Sequence, residues 1–225
     1  MSFDNAISAL STDALKFVKD DYVLGLGSGR AATAFVKSLS SFIKTKKINI
    51  KGVPTSLQIK LIAEQGGISL IEADQVDHID VVFDGADQID FEKNLIKGGG
   101  GALLREKILI NAAKKVVIMA DKTKFVKYFN RSIPIEVHPL ARNGVMKSIK
   151  KLKGQPKIRT LERGYPFITE NGNIILDCYF GVIKKPKVLA QRIIQLSGVM
   201  EVGIFTRKPD VIYKAKTNGK FDVIT

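Results

Sequence analysis

Tyr22-Val23-Leu24-Gly25-Leu26, running into Gly27-Ser28-Gly29-Arg30, is the stretch whose reading decides the fold. The first five residues form a short apolar run without polar alternation, as expected of a strand buried on both faces. The glycines that close it mark a tight turn, and the sequence beyond predicts a helix over 30–43. Such a strand, turn and helix is the repeating unit of a parallel α/β sheet.

The unit recurs outward from there. Residues 3–18 carry apolar side chains at helical spacing. A strand over 48–53 closes at Pro54-Thr55-Ser56, and a helix over 57–65 is stopped by Gly66-Gly67. Further strands are expected over 68–71, 79–83 and 115–120. After about Asn130 the order changes to strand 134–139, helix 140–152, strands 157–162 and 173–180 joined through Glu170-Asn171-Gly172-Asn173, helix 186–196 and strand 199–205. This β-α-β-β-α-β order is the ferredoxin-like motif. Final strands over 211–213 and 221–224 flank an Asn218-Gly219 turn. The expected fold is therefore α/β: a mainly parallel sheet domain, 1–129 and 207–225, with a smaller ferredoxin-like α+β domain, 130–206, inserted near the C-terminus.

Three glycine-bearing or acidic segments follow predicted strands, where open α/β sheets bind ligands. In the first, Gly25 to Gly29, a dinucleotide fingerprint fails. It would need glycine where Arg30 stands, and no acid occurs over 45–53, about 20 residues further on. A phosphate cradle at a helix N-terminus and an ordinary tight turn both fit. In the second, Asp84-Gly85-Ala86-Asp87, the paired carboxylates suit a divalent cation, a helix cap or sugar hydroxyls. Asp90 and Glu92 lie nearby, but their spacing specifies no metal site.

The third segment is Lys97-Gly98-Gly99-Gly100-Gly101-Ala102-Leu103-Leu104-Arg105-Glu106-Lys107. Four glycines entering a helix suit backbone amides that approach an anionic or polar ligand. On that helix the neighbours of Glu106 at i±3 and i±4 are Ala102, Leu103, Leu109 and Ile110. A carboxylate on an apolar face has a raised pKa unless it is paired. It is then either a general base or half of a structural ion pair, and spacing alone does not choose.

The 225 residues carry a formal net charge of +14 and are 45% hydrophobic. The lysines are spread along the chain without interleaved aromatics or a helix-turn-helix signature. This argues for a basic solvated surface that attracts acidic small molecules, and against nucleic acid as partner. No apolar run reaches the ~18 residues of a membrane span, and Met1 to Lys19 lacks the layout of a signal peptide. A cytoplasmic protein without a membrane partner is expected. Cys178 is the single cysteine, which excludes an internal disulfide, and its apolar neighbours make it a core residue. His78 and His138 read as structural or surface residues.

Four motifs stand in order: Gly25-Leu26-Gly27-Ser28-Gly29, Asp84-Gly85-Ala86-Asp87-Gln88-Ile89, Lys97 to Lys107, and Ala120-Asp121-Lys122-Thr123-Lys124. Together with the Asn171 to Asp177 stretch they make the chain resemble ribose-5-phosphate isomerase type A over nearly its whole length. That resemblance implies a Rossmann-like domain with a smaller α+β domain, and a homodimer or homotetramer. It implies a sugar-phosphate substrate, no cofactor and no metal, with ribose 5-phosphate and ribulose 5-phosphate interconverted through an enediolate. Glu106 matches the catalytic base, and Lys97 with the amides of Gly98, Gly99 and Gly100 matches the group that stabilises charge on oxygen. Asp84 and Asp87, flanking Gly85 and Ala86, match acids that hold sugar hydroxyls and assist ring opening. Ser28, Gly29, Arg30 and Ala31 match the phosphate-end loop, and Lys124 a substrate-facing lysine. Arg30 and Ala31 stand where hydroxyl residues are common, and Ala6 and Ile7 where a first-helix lysine is often found. A sugar-phosphate sensor and an acyl or CoA transferase on a similar sheet are the competing classes.

Overall fold

The computed structural model describes residues 3–225; Met1 and Ser2, where the first domain was expected to open, lie outside it. In chain order the first half comprises α1 (Asp4–Ala14), β1 (Tyr22–Leu26), α2 (Gly29–Lys46), β2 (Ile50–Pro54), α3 (Leu57–Gln65), β3 (Ser69–Leu70) and β4 (Ile79–Asp84). Then come β5 (Gln88–Ile89), β6 (Leu95–Ile96), α4 (Leu103–Ala112) and β7 (Ala113–Asp121). The remainder is β8 (Ile133–Val137), α5 (Arg142–Lys151), β9 (Gln155–Ile158), β10 (Ile174–Tyr179), α6 (Pro186–Ile194), β11 (Val199–Val202), β12 (Ile204–Phe205), β13 (Val211–Ala215) and β14 (Phe221–Ile224).

Two compact units result: 1–86 with 105–124 and 207–225, and 87–104 with 125–206. The boundary drawn from sequence differs in 87–104 and 125–129. The short strands β5 and β6 carry too little pattern to be seen in the sequence. They pair with β12 in a three-stranded sheet of the second unit.

The first unit is a seven-stranded sheet in the order β14-β13-β7-β4-β1-β2-β3, parallel except at the β13–β14 hairpin. Along α2, Ala32, Phe35, Val36 and Leu39 recur at helical spacing and are buried. They share one core with Leu10 of α1, Ile59 of α3 and Leu24, Leu26, Phe83 and Met119 of the sheet. Phe35 stacks on Phe83 with ring centroids 3.9 Å apart. Helix α3 starts where Ser56 caps it by accepting from the Ile59 amide.

The second unit contains a four-stranded antiparallel sheet, β11-β8-β10-β9. Numbered by appearance, its strands run 4-1-3-2, the ferredoxin-like arrangement. Ile133, Ile135 and Val137 of β8 pack with Val145 and Ile149 of α5 and Ile193 of α6. The expected strand over 199–205 is broken at Gly203. A Cβ there would stand 2.5 Å from the Lys97 carbonyl, and the Gly203 amide is already given to Pro134. The chain therefore changes sheets at that residue. Strands β9 and β10 pair as expected, but 159–173 makes a longer excursion than the single Glu170–Asn173 turn.

Candidate functional site

Strands β7, β4 and β1 are neighbours, so their carboxyl ends meet at one edge of the first unit's sheet. Each ends in a polar group: Gly27-Ser28 after β1, Asp84 on β4 and Asp121 on β7. Asp84 is fully buried, and its Oδ1 accepts from the amides of Ser28 at 3.2 Å and Gly85 at 2.7 Å. This carboxylate gathers the turn around itself. Gly27 is required here because a Cβ would lie 2.2 Å from the Asp84 carboxyl carbon.

Ser28 is the N-cap residue of α2, yet its hydroxyl does not cap the helix. It donates instead to Oε1 of Glu106 at 2.7 Å. The first-turn amides of α2, those of Gly29, Arg30 and Ala31, have no partner within the helix and mark its electropositive end. Ala31 packs on the core beneath. Arg30, with a side chain 58% exposed, gives one Nη2–H to Asp121 at 3.1 Å. Asp121 is fixed in turn by the Thr123 amide at 2.9 Å and by the Thr123 hydroxyl. Lys124 ends the single helical turn after β7 and is half-buried.

Glu106 lies on the apolar face of α4. It is 4% exposed, beside Leu109 at 2% and Ile110 at 1%, while Ile108 on the opposite face is half exposed. The helical spacing thus translated directly into a buried carboxylate held by a hydroxyl. An oriented, water-poor carboxylate of this kind can exchange a proton with a carbon acid.

The remaining expected residues belong to the second unit. Asp87 accepts from the Gly99 amide at 2.8 Å, and its backbone carbonyl takes a hydrogen bond from Arg131 at 3.1 Å. Arg131 also stands 3.8 Å from the Asp87 carboxylate. Lys97 is 3% exposed, with its ammonium 5.8 Å from the Phe205 ring centroid and its amide given to Gly203. Gly98 turns the chain with φ +97°, while Gly99 and Gly100 are exposed. Asp90 organises the β5–β6 loop, accepting from the amides of Glu92 and Asn94 and from the Asn94 side chain. Among the described residues no group of three His, Cys, Asp or Glu side chains is arranged to hold a metal ion.

Sequence reasoning did not find Arg159 and Asp177. Arg159 donates to the carbonyls of both Gly98 and Gly99 and pairs with Asp177. Nothing local announces this contact, which spans some 60 residues of chain. Cys178 is fully buried, and its thiol is pushed up to about 12 by burial and then by the charge of Asp177. His78 bonds Asp80, and His138 accepts from the Leu140 amide, so both serve local structure. Ala6 and Ile7 of α1 are buried in the core. No helix among the described residues is long and apolar enough to cross a membrane.

The family model described as ribose 5-phosphate isomerase A (phosphoriboisomerase A) matches residues 51–219. The chain is 38% identical to ribose-5-phosphate isomerase A of Methanosarcina acetivorans, over 94% of this chain and 91% of that protein. It is 37% identical to the protein of that name from Pyrococcus abyssi, over 97% of each. Among solved structures, ribose 5-phosphate isomerase A of Methanocaldococcus jannaschii superposes with a TM-score of 0.94, at 33% identity and full coverage of both chains. A D-ribose-5-phosphate isomerase in complex with phospho-erythronic acid gives 0.95 at 36% identity, covering 100% of this chain and 99% of that one.

Proposed function

From the premise that this chain belongs to the ribose 5-phosphate isomerase A family, we propose that it interconverts D-ribose 5-phosphate and D-ribulose 5-phosphate. The observation that carries the mechanism is Glu106, a buried carboxylate oriented by the Ser28 hydroxyl. In the open-chain aldose, Glu106 takes the proton from C2, and electron density moves onto the C1 oxygen as an enediolate. The same carboxyl returns the proton to C1. The hydroxyl proton leaves O2 and O1 gains one, which leaves the C2 ketone. The aldehyde is reduced by the adjacent alcohol carbon of the same molecule, so the atoms balance without an external electron acceptor.

Charge developing on oxygen is the cost of that path, and fixed donors reduce it. We assign that role to Lys97 and the amides of Gly98, Gly99 and Gly100. Asp84 and Asp87 hold sugar hydroxyls and assist ring opening. The first turn of α2, from Ser28 to Ala31, takes the phosphate end, and Lys124 faces substrate. With Ala6 and Ile7 buried in the core, the first helix offers no cation there, and Arg30 supplies the charge. The two units act as a Rossmann-like catalytic domain and a smaller α+β domain. The chain works in the cytoplasm as a homodimer or homotetramer, in the non-oxidative pentose phosphate pathway.

Incubating purified protein with ribose 5-phosphate and following ulose formation tests the reaction. Binding without turnover would instead make it a sensor. Glu106→Gln keeps the shape and removes the base, so kcat should fall by about two to four orders of magnitude. Near-normal turnover would return Glu106 to a structural role.

A further inference from the structure

Arg159 stands just past β9 and uses four of its five N–H donors within the second unit. Two go to Asp177, from Nε at 2.9 Å and from Nη2 at 2.5 Å. Two go from Nη1 to the carbonyls of Gly98 and Gly99, each at 2.9 Å. The side chain is 15% exposed, and the Phe167 ring centroid lies 5.8 Å from the guanidinium carbon. A half-buried guanidinium held by four hydrogen bonds is well fixed in place.

The consequence follows from peptide planarity. In a trans peptide the carbonyl of one residue and the amide of the next point in opposite directions. Holding the Gly98 oxygen therefore aims the Gly99 amide away from Arg159, where it meets Asp87 at 2.8 Å. Holding the Gly99 oxygen aims the Gly100 amide away in the same manner. The Gly98 carbonyl also takes the Gly101 amide at 3.0 Å, which closes the turn. A run of four glycines has little stiffness of its own. Its conformation is imposed from behind.

We propose that Arg159, braced by Asp177, is a positioning residue that fixes the glycine run so that the Gly100 amide is aimed at the charge formed during the reaction. The proposal rests on the donor role assigned to that amide above. Arg159 itself touches no substrate. Lysine at 159 keeps the charge but cannot reach two carbonyls and a bidentate carboxylate together. Because preorganised donors act mainly on the transition state, kcat bears the loss while KM changes little.

The test compares wild type, Arg159→Lys and Asp177→Asn by steady-state kinetics and by amide hydrogen exchange of the 97–104 segment. For Arg159→Lys, kcat should fall by about 10- to 100-fold with KM within about threefold. Exchange at Gly99 and Gly101, whose amides are held by Asp87 and by the Gly98 carbonyl, should quicken by about 10-fold or more. Asp177→Asn retains Arg159 with a neutral brace and should show the same pattern, with kcat down about three- to tenfold. It carries the test if Arg159→Lys does not fold. An unchanged kcat in a folded variant overturns the proposal, as does a KM that rises in step with the fall in kcat. Unchanged exchange at the glycines overturns it as well. If wild type does not turn over ribose 5-phosphate, the functional reading fails, and the exchange result alone decides whether Arg159 holds the run.

Discussion

In the turn after β1 a carboxylate gathers amides, whereas in the run before α4 a guanidinium gathers carbonyls. Asp84 draws the Ser28 and Gly85 amides inward, so the donors left over in the first turn are those that begin α2. Arg159 draws the Gly98 and Gly99 carbonyls inward, so the amides that follow them are turned outward. Both segments are glycine-rich, and both present N–H groups. They arrive there by opposite electrostatic plans. The first borrows its donors from a helix end and the second manufactures them in a loop. A glycine run read from sequence therefore specifies that backbone comes close to something, and the charge behind it specifies which backbone atoms are offered.

Gly27→Ala is the harshest way to break the first plan. The added Cβ would stand 2.2 Å from the Asp84 carboxyl group, which is fully buried and cannot swing aside cheaply. Either Asp84 or the turn must move by about an ångström, and a displacement of that size costs on the order of 100-fold in kcat/KM. The second plan lies in another unit, so exchange at Gly99 and Gly101 should stay as in wild type. A variant with near wild-type kcat/KM would show that Asp84 does not organise the catalytic geometry.

Arg30→Ala sharpens the same comparison. In the proposed function the first turn supplies amides for direction and Arg30 for charge. Loss of one guanidinium contact to a phosphate should raise KM for ribose 5-phosphate by about 10-fold, with kcat changed by less than about threefold. Asp121 holds Arg30 at 3.1 Å, so a fixed carboxylate sets the direction of the arginine. An unchanged KM in the alanine variant would remove Arg30 from phosphate binding and leave the helix amides to do that work alone.

The legible parts of this molecule were those whose pattern is local. The strand Tyr22–Leu26 and the helix Leu57–Gln65 have the bounds expected from sequence, because a glycine turn and a serine cap fix their ends. Glu106 was legible as a buried acid because its helical neighbours are apolar. The ferredoxin-like character of the second unit was legible from its β-α-β-β-α-β element order. What escaped depends on contacts between distant residues. The Ser28–Glu106 bond joins positions 78 apart, and Arg159 reaches back 61 residues to Gly98. Gly203 divides a strand because another backbone passes close to it, which no propensity scale contains. The strands β5 and β6 are two residues long and have no period to detect.

Strand β4 supplies the mildest test, since it carries acids at both ends: Asp84 at the carboxyl edge and Asp80 near the other. Burial opposes ionisation of Asp80. The Val23 amide, Lys114 and His78 together outweigh it and hold the carboxyl below its usual range. A folded-state pKa below the unfolded one stabilises the protein above the unfolded value of about 4, and that contribution is lost as pH falls through the folded value. Asp80→Asn should therefore lower Tm by about 2–4 °C near pH 7, the shift expected for a change of about 1 kcal/mol in a chain of this size. The gap to wild type should close as the pH drops below about 4. Turnover at pH 7 should be unchanged, because Asp80 is remote from the carboxyl edge of the strand where Asp84 lies. A Tm gap that persists into acid would mean that Asp80 acts through packing rather than charge. A loss of turnover would mean that the two ends of β4 are coupled, and that the carboxylate plan of the first turn extends down the strand.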